Sequence, residues 1–229
     1  MSLATTARDA INRARQRVAK RLSGGISEQR SNEPRSRREL HDYWASPTDR
    51  GNHPEEYAAA RDRSEFLVAL LERYVDHDAH VLEVGTNVGR NLEHLRRAGF
   101  RSLTGIELSR QAVQLMQLEY PNVAREARIL NLPVEDAIVE LADDGYDVVF
   151  TMAVLEHIHP DSEWVFREMT RVMRRLLITI EDEQGVSERH FPRNYERIFE
   201  PLGLTQVEST TQVDGLPGFT ARVLEATRR

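Results

Sequence analysis

One stretch, residues 81–91 with the sequence VLEVGTNVGRN, constrains the fold more than any other part of the chain. Its apolar start predicts a short buried strand, and the glycines predict a sharp turn into a helix that opens near Gly89. Glycine at positions 85 and 89 lets the backbone approach a ligand closely, because no Cβ intervenes. A helix N-terminus favours an anion such as a carboxylate, and Glu83 could reach a cationic or hydroxyl group.

The spacing of the glycines excludes one common nucleotide-binding motif. A dinucleotide fingerprint Gly-x-Gly-x-x-Gly that starts at Gly85 would need glycine where the chain has Asn87 and Arg90. The looser pattern acidic-x-Gly-x-x-x-Gly does fit, and with it the stretch resembles the first motif of class I S-adenosylmethionine (SAM)-dependent methyltransferases. Asn87 departs from that motif at its middle glycine, but asparagine tolerates the left-handed backbone better than most residues. The resemblance implies that the turn holds the amino-acid end of SAM. The residues it assigns to this role are Glu83, Gly85, Thr86, Asn87 and Gly89.

Strand and helix patterns alternate after residue 80. The predicted strands are residues 81–85, 102–106, 126–130, 147–151, 176–180, 205–209 and 219–226, and the predicted helices are residues 54–74, 89–98, 109–119, 134–142, 161–173 and 193–200. This alternation indicates a mostly parallel sheet with helices on both faces. The last two strands have no helix between them and should form a hairpin. The expected fold is α/β, the Rossmann-like class I methyltransferase fold: a mostly parallel seven-stranded sheet with an antiparallel last strand.

Length and composition narrow the class of protein. A chain of 229 residues is long enough for one α/β domain with a full core. The formal net charge of -6 argues against a protein that coats nucleic acid, and the absence of cysteine excludes disulfides and thiolate catalysis. No apolar run long enough for a membrane span occurs. We therefore expect a cytoplasmic chain without a membrane span, as a monomer or a homodimer.

Charge is distributed unevenly along the chain. Residues 1–38 carry ten basic and three acidic side chains, whereas the rest of the chain is strongly acidic. We expect residues 1–38 to form a basic, flexible or helical N-terminal arm, with a helical stripe over residues 6–22. Such an arm could bind an anionic partner such as nucleic acid, or lie as a solvated extension on its own acidic domain.

Residues 39–75 are expected to form a helical lid ahead of the SAM-binding domain, residues 76–229. In many small-molecule methyltransferases the segment before the first strand covers the cofactor and helps to line the substrate pocket. By that resemblance the candidate substrate-binding residues are His41, Tyr43, Trp44 and Tyr57. The alternative is that these side chains only attach the lid to the domain.

Ligands of open α/β sheets bind beyond the carboxyl ends of the strands, so polar residues at those ends are further candidates. Glu107 follows the second strand, and a carboxylate there can accept hydrogen bonds from both ribose hydroxyls. The resemblance assigns it that role, with Leu108 beside it. After the third strand the usual Gly-Asp-Ala of the family is missing, and Val134 and Glu135 are the candidates for the adenine, with Asp136 next to them.

The fourth strand is followed by VLEHIHP, which resembles the fourth motif of the same family. The resemblance implies that Thr151, Met152 and Ala153 border the methionine portion of SAM and the methyl group. His157 and His190 lie on the expected ligand side and are candidate catalytic bases, since histidine titrates near neutral pH. Glu181 and Glu183 share that edge and could bind an amine.

A metal-dependent alternative uses some of the same side chains. Glu156, His157 and His190 could hold a divalent ion through mixed oxygen and nitrogen ligands, as in the methyltransferases that modify RNA ribose ends. A glutamate–histidine pair after the fourth strand also occurs in metal-free relatives, and we expect no metal.

The sequence therefore predicts a SAM-dependent methyltransferase (EC 2.1.1.-) that transfers a methyl group to oxygen or nitrogen of a small-molecule acceptor and leaves S-adenosylhomocysteine. Two alternatives remain open at this point. One is an RNA or protein methyltransferase that docks through the arginine-rich arm, and the other is a SAM-binding protein without catalytic activity.

Overall fold

A seven-stranded sheet organises the chain from Pro34 onward. The computed structural model describes residues 33–49, 52–58 and 61–227. The helix predicted over residues 6–22 lies outside the described residues, as does the rest of the basic arm up to residue 32.

The sheet has the strand order β3-β2-β1-β4-β5-β7-β6. Its strands are β1 (His80–Val84), β2 (Ser102–Ile106), β3 (Arg128–Leu130), β4 (Tyr146–Met152), β5 (Met173–Glu181), β6 (Leu204–Thr210) and β7 (Thr220–Ala226). The first five strands pair in parallel, whereas β7 is antiparallel to both β5 and β6. The predicted Rossmann-like fold and its antiparallel last strand are therefore confirmed.

Strand β1 lies at the point where the chain reverses direction across the sheet. Val84 at its end is level with Ile106 of β2 on one side and Thr151 of β4 on the other. The carboxyl ends of these three strands consequently meet at one edge. In doubly wound sheets, this switch point is where ligands bind.

Helices cover both faces of the sheet. They are α1 (Arg37–Ala45), α2 (Pro54–Tyr57), α3 (Arg61–Leu71), α4 (Arg90–Ala98), α5 (Arg110–Glu119), α6 (Pro121–Glu126), α7 (Val134–Ile138), α8 (Trp164–Val172) and α9 (Tyr195–Phe199). Successive strand residues point to opposite faces, so Val81 and Leu82 belong to two separate apolar clusters. Helices α3 and α4 contribute to the first cluster, and α8 and α9 contribute to the second.

Two local signals in the sequence determine helix ends as predicted. The Ser109 hydroxyl accepts a hydrogen bond from the Ala112 amide and caps α5, and Gly99 ends α4 in the left-handed conformation. Ser36 and Glu39 form a reciprocal capping box at the start of α1, a helix start that the sequence analysis did not predict. Helix α1 therefore opens the segment that was predicted as a lid.

Three predicted elements need correction. The strand predicted over residues 126–130 is shorter, because Pro121 starts helix α6, which extends to Glu126. The single helix predicted over residues 54–74 is described as α2 and α3, with residues 59 and 60 outside the described part, and α3 ends at Leu71. The helix predicted over residues 134–142 is the shorter α7.

No helix in the described ranges is both long and apolar enough to cross a membrane.

Candidate active site

A cavity opens at the carboxyl edge of the sheet, where β1, β2 and β4 end, and the segment that contains α1 and α2 also contributes to its lining. The space between atoms inside it is about 1170 Å³, including its solvent-filled mouth, which is large enough for a nucleotide-sized ligand. The predicted site residues that line it are His41, Trp44, Tyr57, Glu83, Gly85, Thr86, Asn87, Glu107, Leu108, Val134, Glu135, Met152, Ala153 and His157.

The turn after β1 has the strained geometry that its sequence predicts. Gly85, Asn87 and Gly89 all have positive φ, at 77°, 49° and 76°. A Cβ on Gly85 would lie 2.4 Å from a methyl carbon of Val154, so the turn passes too close to the loop after β4 for any side chain there. Asparagine at position 87 fits because it adopts this conformation more readily than most residues. Thr86 and Asn87, between the two glycines, both line the cavity.

Glu83 is a buried carboxyl group at the base of this turn. The Thr86 hydroxyl donates a hydrogen bond to one carboxyl oxygen at 2.7 Å, and the Asn91 amide donates to the other, also at 2.7 Å. Burial raises the pKa of Glu83 to about 7, and these hydrogen bonds offset only part of that effect. Glu83 therefore lines the cavity as an acid that would be stabilised in its charged form by a cation.

Arg90 supplies a buried positive charge beside Glu83. Its guanidinium donates to Ser64 Oγ at 2.9 Å and to the Tyr57 carbonyl at 2.7 Å, and lies 3.6 Å from the Met152 sulfur. Within the described part of the chain, Arg90 has neutral hydrogen-bond acceptors and forms no ion pair with a carboxylate. Glu83 acts on this guanidinium electrostatically without contacting it, so an anionic group of a ligand could still bind Arg90 directly at the cavity wall.

Glu107 follows β2 and is nearly buried. Its two carboxyl oxygens accept hydrogen bonds from the backbone amides of Asn87 and Ser109, at 2.7 and 2.6 Å. Burial raises its pKa, although these hydrogen bonds favour the charged form. A carboxylate has about four acceptor positions, so Glu107 can accept further hydrogen bonds from ligand hydroxyls.

An apolar region extends from Glu107 along the cavity and includes Leu108, Leu132 and Val134. Glu135 at its border accepts a hydrogen bond from the Ser162 hydroxyl at 2.7 Å and contacts His41 Nε2 at 2.9 Å. The contact with His41 connects helix α1 to α7 across the cavity.

The predicted lid residues lie in two different environments. Trp44 and Tyr57 line the cavity, whereas Tyr43 is buried and its ring lies 4.0 Å below the guanidinium of Arg189. Arg189 also forms an ion pair with Asp49 at 2.7 Å. Tyr43 thus helps to join α1 to the loop after β5, which is the attachment role that the sequence left open for this group.

His157 lies at the end of the cavity near Trp44, with the two ring centroids 4.5 Å apart. The Arg189 carbonyl accepts from His157 Nδ1 at 2.7 Å, which leaves the lone pair on Nε2. Burial lowers the pKa of His157 to about 4, so the ring is neutral at pH 7. His190 lies behind His157, with centroids 5.4 Å apart, and the described residues place it outside the cavity lining.

Residues 82–176 match the sequence model of the family described as "Methyltransferase domain". The curated protein "Methyltransferase GfsG" from Streptomyces halstedii is 29% identical over 134 residues, which are 58% of this chain and 45% of that protein. The chain thus spans less than half the length of that relative.

Two solved structures show the same fold. A magnesium protoporphyrin IX methyltransferase from Synechocystis PCC 6803 with bound SAM has a TM-score of 0.64 at 17% identity, over 84% of this chain and 96% of that one. A 1,6-didemethyltoxoflavin-N1-methyltransferase from Burkholderia thailandensis, with its substrate and S-adenosylhomocysteine, has a TM-score of 0.54 at 18% identity, over 77% of this chain and 91% of that one. Residues 82–176 are thus similar to a methyltransferase domain, and residues around them share the fold of two methyltransferases.

Several of the predicted site residues do not line the cavity. They are Gly89, Thr151, Tyr43, His190, Glu181 and Glu183. Gly89 caps helix α4, and Thr151 is fully buried in β4. Glu183 is held by Arg222 through two hydrogen bonds of 2.7 and 2.8 Å, and Glu181 accepts from the Val154 amide at 2.9 Å. The two acids thus have partners inside the protein.

The sequence analysis did not identify the polar residues that follow the glycine turn after β1. Arg90 and Asn91 lie in the first turn of α4, and Ser64 of α3 supports both. The sequence did indicate these residues, because two polar residues directly after Gly89 begin a helix at the carboxyl edge of the sheet. Arginine at a helix start is common on protein surfaces, however, and only the burial of Arg90 distinguishes it.

Proposed function

We propose that this chain is a SAM-dependent methyltransferase that methylates an oxygen or nitrogen atom of a small molecule. The observation that carries the proposal is that three charged side chains, Arg90, Glu83 and Glu107, line the same cavity. Arg90 and Glu83 have the charges that would bind the carboxylate and the ammonium group of SAM, and Glu107 can accept hydrogen bonds from the ribose hydroxyls.

The amino-acid end of SAM is assigned to the turn after β1. The ammonium group would pair with Glu83, whose buried carboxyl lacks a full counter-charge. The carboxylate would bind Arg90, whose guanidinium has only neutral acceptors among the described residues. Both charges are held by hydrogen bonds to Asn91, so the pair is preorganised.

The nucleoside end of SAM is assigned to Glu107 and the apolar region beyond it. Glu107 would accept from both ribose hydroxyls through its free lone pairs. Leu108, Leu132 and Val134 offer apolar surface for the faces of the adenine ring. Glu135 remains a proposed contact for the adenine amino group, although it already accepts from Ser162.

The remaining part of the cavity, lined by Trp44, Met152, Ala153 and His157, is called here the acceptor end. SAM supplies an electrophilic methyl group on a sulfonium. The chain's own task is to hold the acceptor atom in line with the breaking C–S bond and to exclude water. His157 lines this end and is the proposed base, with its lone pair on Nε2 because Nδ1 donates to the Arg189 carbonyl. Residues 39–75 would act as the lid.

The two structural neighbours are named for methylation of a magnesium porphyrin and of a small heterocycle, which supports a small-molecule acceptor. The basic residues 1–38 favour a second candidate, methylation of RNA, with the arm as docking element. Binding through phosphates falls steeply with salt. If RNA binding to the full chain falls with salt and deletion of residues 1–38 removes it, the second candidate gains support.

Calorimetric titration with SAM, followed by a methyl-transfer screen over hydroxyl, amine and carboxyl acceptors, tests the proposal. We expect binding of one SAM per chain, loss of affinity in Glu107→Ala, and no change in Glu140→Ala, whose side chain is exposed and outside the cavity. Absence of SAM binding by the folded wild-type chain would refute the proposal. SAM binding without turnover on any acceptor would support a non-catalytic SAM-binding protein instead.

A further inference from the structure

Three side chains with metal-ligating atoms converge next to the acceptor end. Glu156, His157 and His190 each offer one ligand atom, and these atoms all lie within 4.8 Å of one another. Glu156 Oε1 and His157 Nε2 are 3.5 Å apart. Ligand atoms around a bound first-row metal lie about 3 Å apart, as bond lengths near 2.1 Å require, so small side-chain movements would close the set.

Both imidazole rings are oriented by backbone carbonyl groups. His157 Nδ1 donates to the Arg189 carbonyl at 2.7 Å, so its lone pair is on Nε2, the atom that faces Glu156. His190 Nε2 contacts the Asp182 carbonyl at 2.9 Å, which fixes the position of the second ring. Metal-binding histidines are commonly held in this way, by a hydrogen bond from the other ring nitrogen to a carbonyl.

Two acids at this site lack an arginine or lysine partner among the described residues. Glu156 and Glu181 are both buried, at 3% and 0% exposure, and no arginine or lysine of the described residues forms an ion pair with either. Oxygen Oε1 of Glu181 is buried without a hydrogen-bond partner in the described part of the chain. Two buried carboxyl groups with an unpartnered oxygen are costly without a compensating charge, and a divalent cation would supply it.

We propose that Glu156, His157 and His190 bind one divalent transition-metal ion next to the acceptor end of the cavity, with Glu181 as an outer-sphere carboxylate. A set of two nitrogens and one oxygen favours Mn²⁺, Fe²⁺, Co²⁺ or Zn²⁺ over Mg²⁺ and Ca²⁺, which prefer all-oxygen sites. Three protein ligands leave coordination positions free, and His157 borders the cavity, so an acceptor could occupy one of them.

The role of the ion rests on the proposed methyltransferase function, whereas its binding does not. A hydroxyl acceptor that ligates the ion releases its proton to solvent more readily. Its oxygen then forms the C–O bond as the C–S bond of the sulfonium donor breaks, and a neutral thioether leaves. In this form the ion takes over the task that His157 would otherwise have as a base.

The test measures metal binding and SAM binding separately on the same EDTA-treated protein. Titration with Mn²⁺ and with Zn²⁺ should show that one ion binds per chain. The absorption spectrum of the Co²⁺-bound protein should show the d–d bands of an ion that has nitrogen ligands. Glu156→Gln, His157→Gln and His190→Gln should each weaken metal binding at least about tenfold. His94→Gln, on helix α4 and outside the cluster, is the matched control and should bind like the wild type.

Circular dichroism and thermal unfolding establish that each variant is folded. The Co²⁺ spectrum of the wild type tests the metal site even if a variant does not fold. A wild-type chain that binds no ion stoichiometrically, or that binds equally well after His157→Gln and His190→Gln, overturns the metal proposal. If SAM still binds in that case, the proposed function stands. If the metal binds but SAM does not, the metal site stands and the methyltransferase assignment fails.

Discussion

Glu83→Gln should stabilise the ligand-free protein at neutral pH while it weakens the binding of SAM. Glutamine has the same shape, and its amide can keep both hydrogen bonds: Asn91 donates to the amide oxygen, and the Thr86 hydroxyl turns to accept from the amide nitrogen. The substitution therefore removes the buried charge without removing a packing contact. A residue that is unfavourable for stability and favourable for binding is typical of a functional site.

The magnitude follows from the pKa of Glu83, which burial raises from 4.5 to about 7. Each pKa unit corresponds to about 1.4 kcal/mol, so ionisation of Glu83 makes folding less favourable by about 3 kcal/mol. Because the pKa of Glu83 is higher in the folded state than in the unfolded state, the protonated carboxyl group costs no stability below about pH 4.5. About 3 kcal/mol of stability is then lost as the pH rises to 7. The advantage of the glutamine variant should grow from less than about 1 kcal/mol at pH 5 to about 3 kcal/mol at pH 7.5.

Urea unfolding of the wild type and of Glu83→Gln between pH 5 and pH 8 measures this difference in stability. Ionisable groups that the two proteins share contribute equally to both and cancel in the difference. Glu93→Gln is a matched control: burial acts on Glu93 too, but hydrogen bonds from Arg96 and Arg97 outweigh it and lower its pKa. That variant should be less stable than the wild type at neutral pH. A difference between wild type and Glu83→Gln that is equal at pH 5 and pH 8 would refute the reasoning.

The binding side of the same prediction uses calorimetry with SAM. The variant lacks the negative partner of the ammonium group, and hydrogen bonds to charged groups contribute about 1.5–3 kcal/mol, so affinity should fall by about 10- to 100-fold at pH 8. Wild-type affinity should itself decrease below pH 7, because Glu83 must first lose a proton. The affinities of the two proteins should therefore converge as the pH falls.

Three further substitutions test separate parts of the site. Glu107→Ala should lower SAM affinity at least about tenfold in calorimetry and keep the circular dichroism spectrum of the folded chain. Arg90→Lys should also weaken SAM binding, because lysine cannot reproduce the planar fork of the guanidinium; unchanged affinity would argue against Arg90 as the carboxylate ligand. Gly85→Ala should destabilise the fold by about 1–3 kcal/mol in urea unfolding, because φ is positive and Val154 leaves no room for a Cβ, whereas Gly203→Ala, with positive φ but open space, should cost less.

The sheet could be predicted from the sequence because its signals are local. Short apolar runs alternate with helical patterns, and the absence of a helix pattern between β6 and β7 was enough to predict the hairpin. The predicted ends of helices and strands were wrong where one local signal was missed or competed with another. Pro121 begins a helix that takes up Glu126, the first residue of the predicted strand.

The chemistry of the site could be predicted only in part, because charge partners come from distant positions in the chain. Glu183 and Arg222 are 39 residues apart, and nothing local to either residue indicates their buried ion pair. Tyr43 and Arg189 are similarly remote, so the sequence left open whether Tyr43 lines the pocket or attaches the lid. Glu107, by contrast, is fixed by its position at the end of β2 and lines the cavity as predicted.

The cavity and the cluster of acids next to it share one electrostatic feature. Glu83 at the turn after β1, and Glu156 with Glu181 after β4 and β5, are buried acids whose pKa values are raised, first of all by burial. A protein selected for stability alone would replace such groups with apolar ones of similar size. Their cost is recovered when a cation binds, since any ligand that prefers the folded state stabilises it. The ammonium group of SAM would supply this cation to Glu83, and a metal ion would supply it to Glu156 and Glu181. The same physical cause, a buried acid that needs a cation, therefore links the proposed function and the proposed metal site.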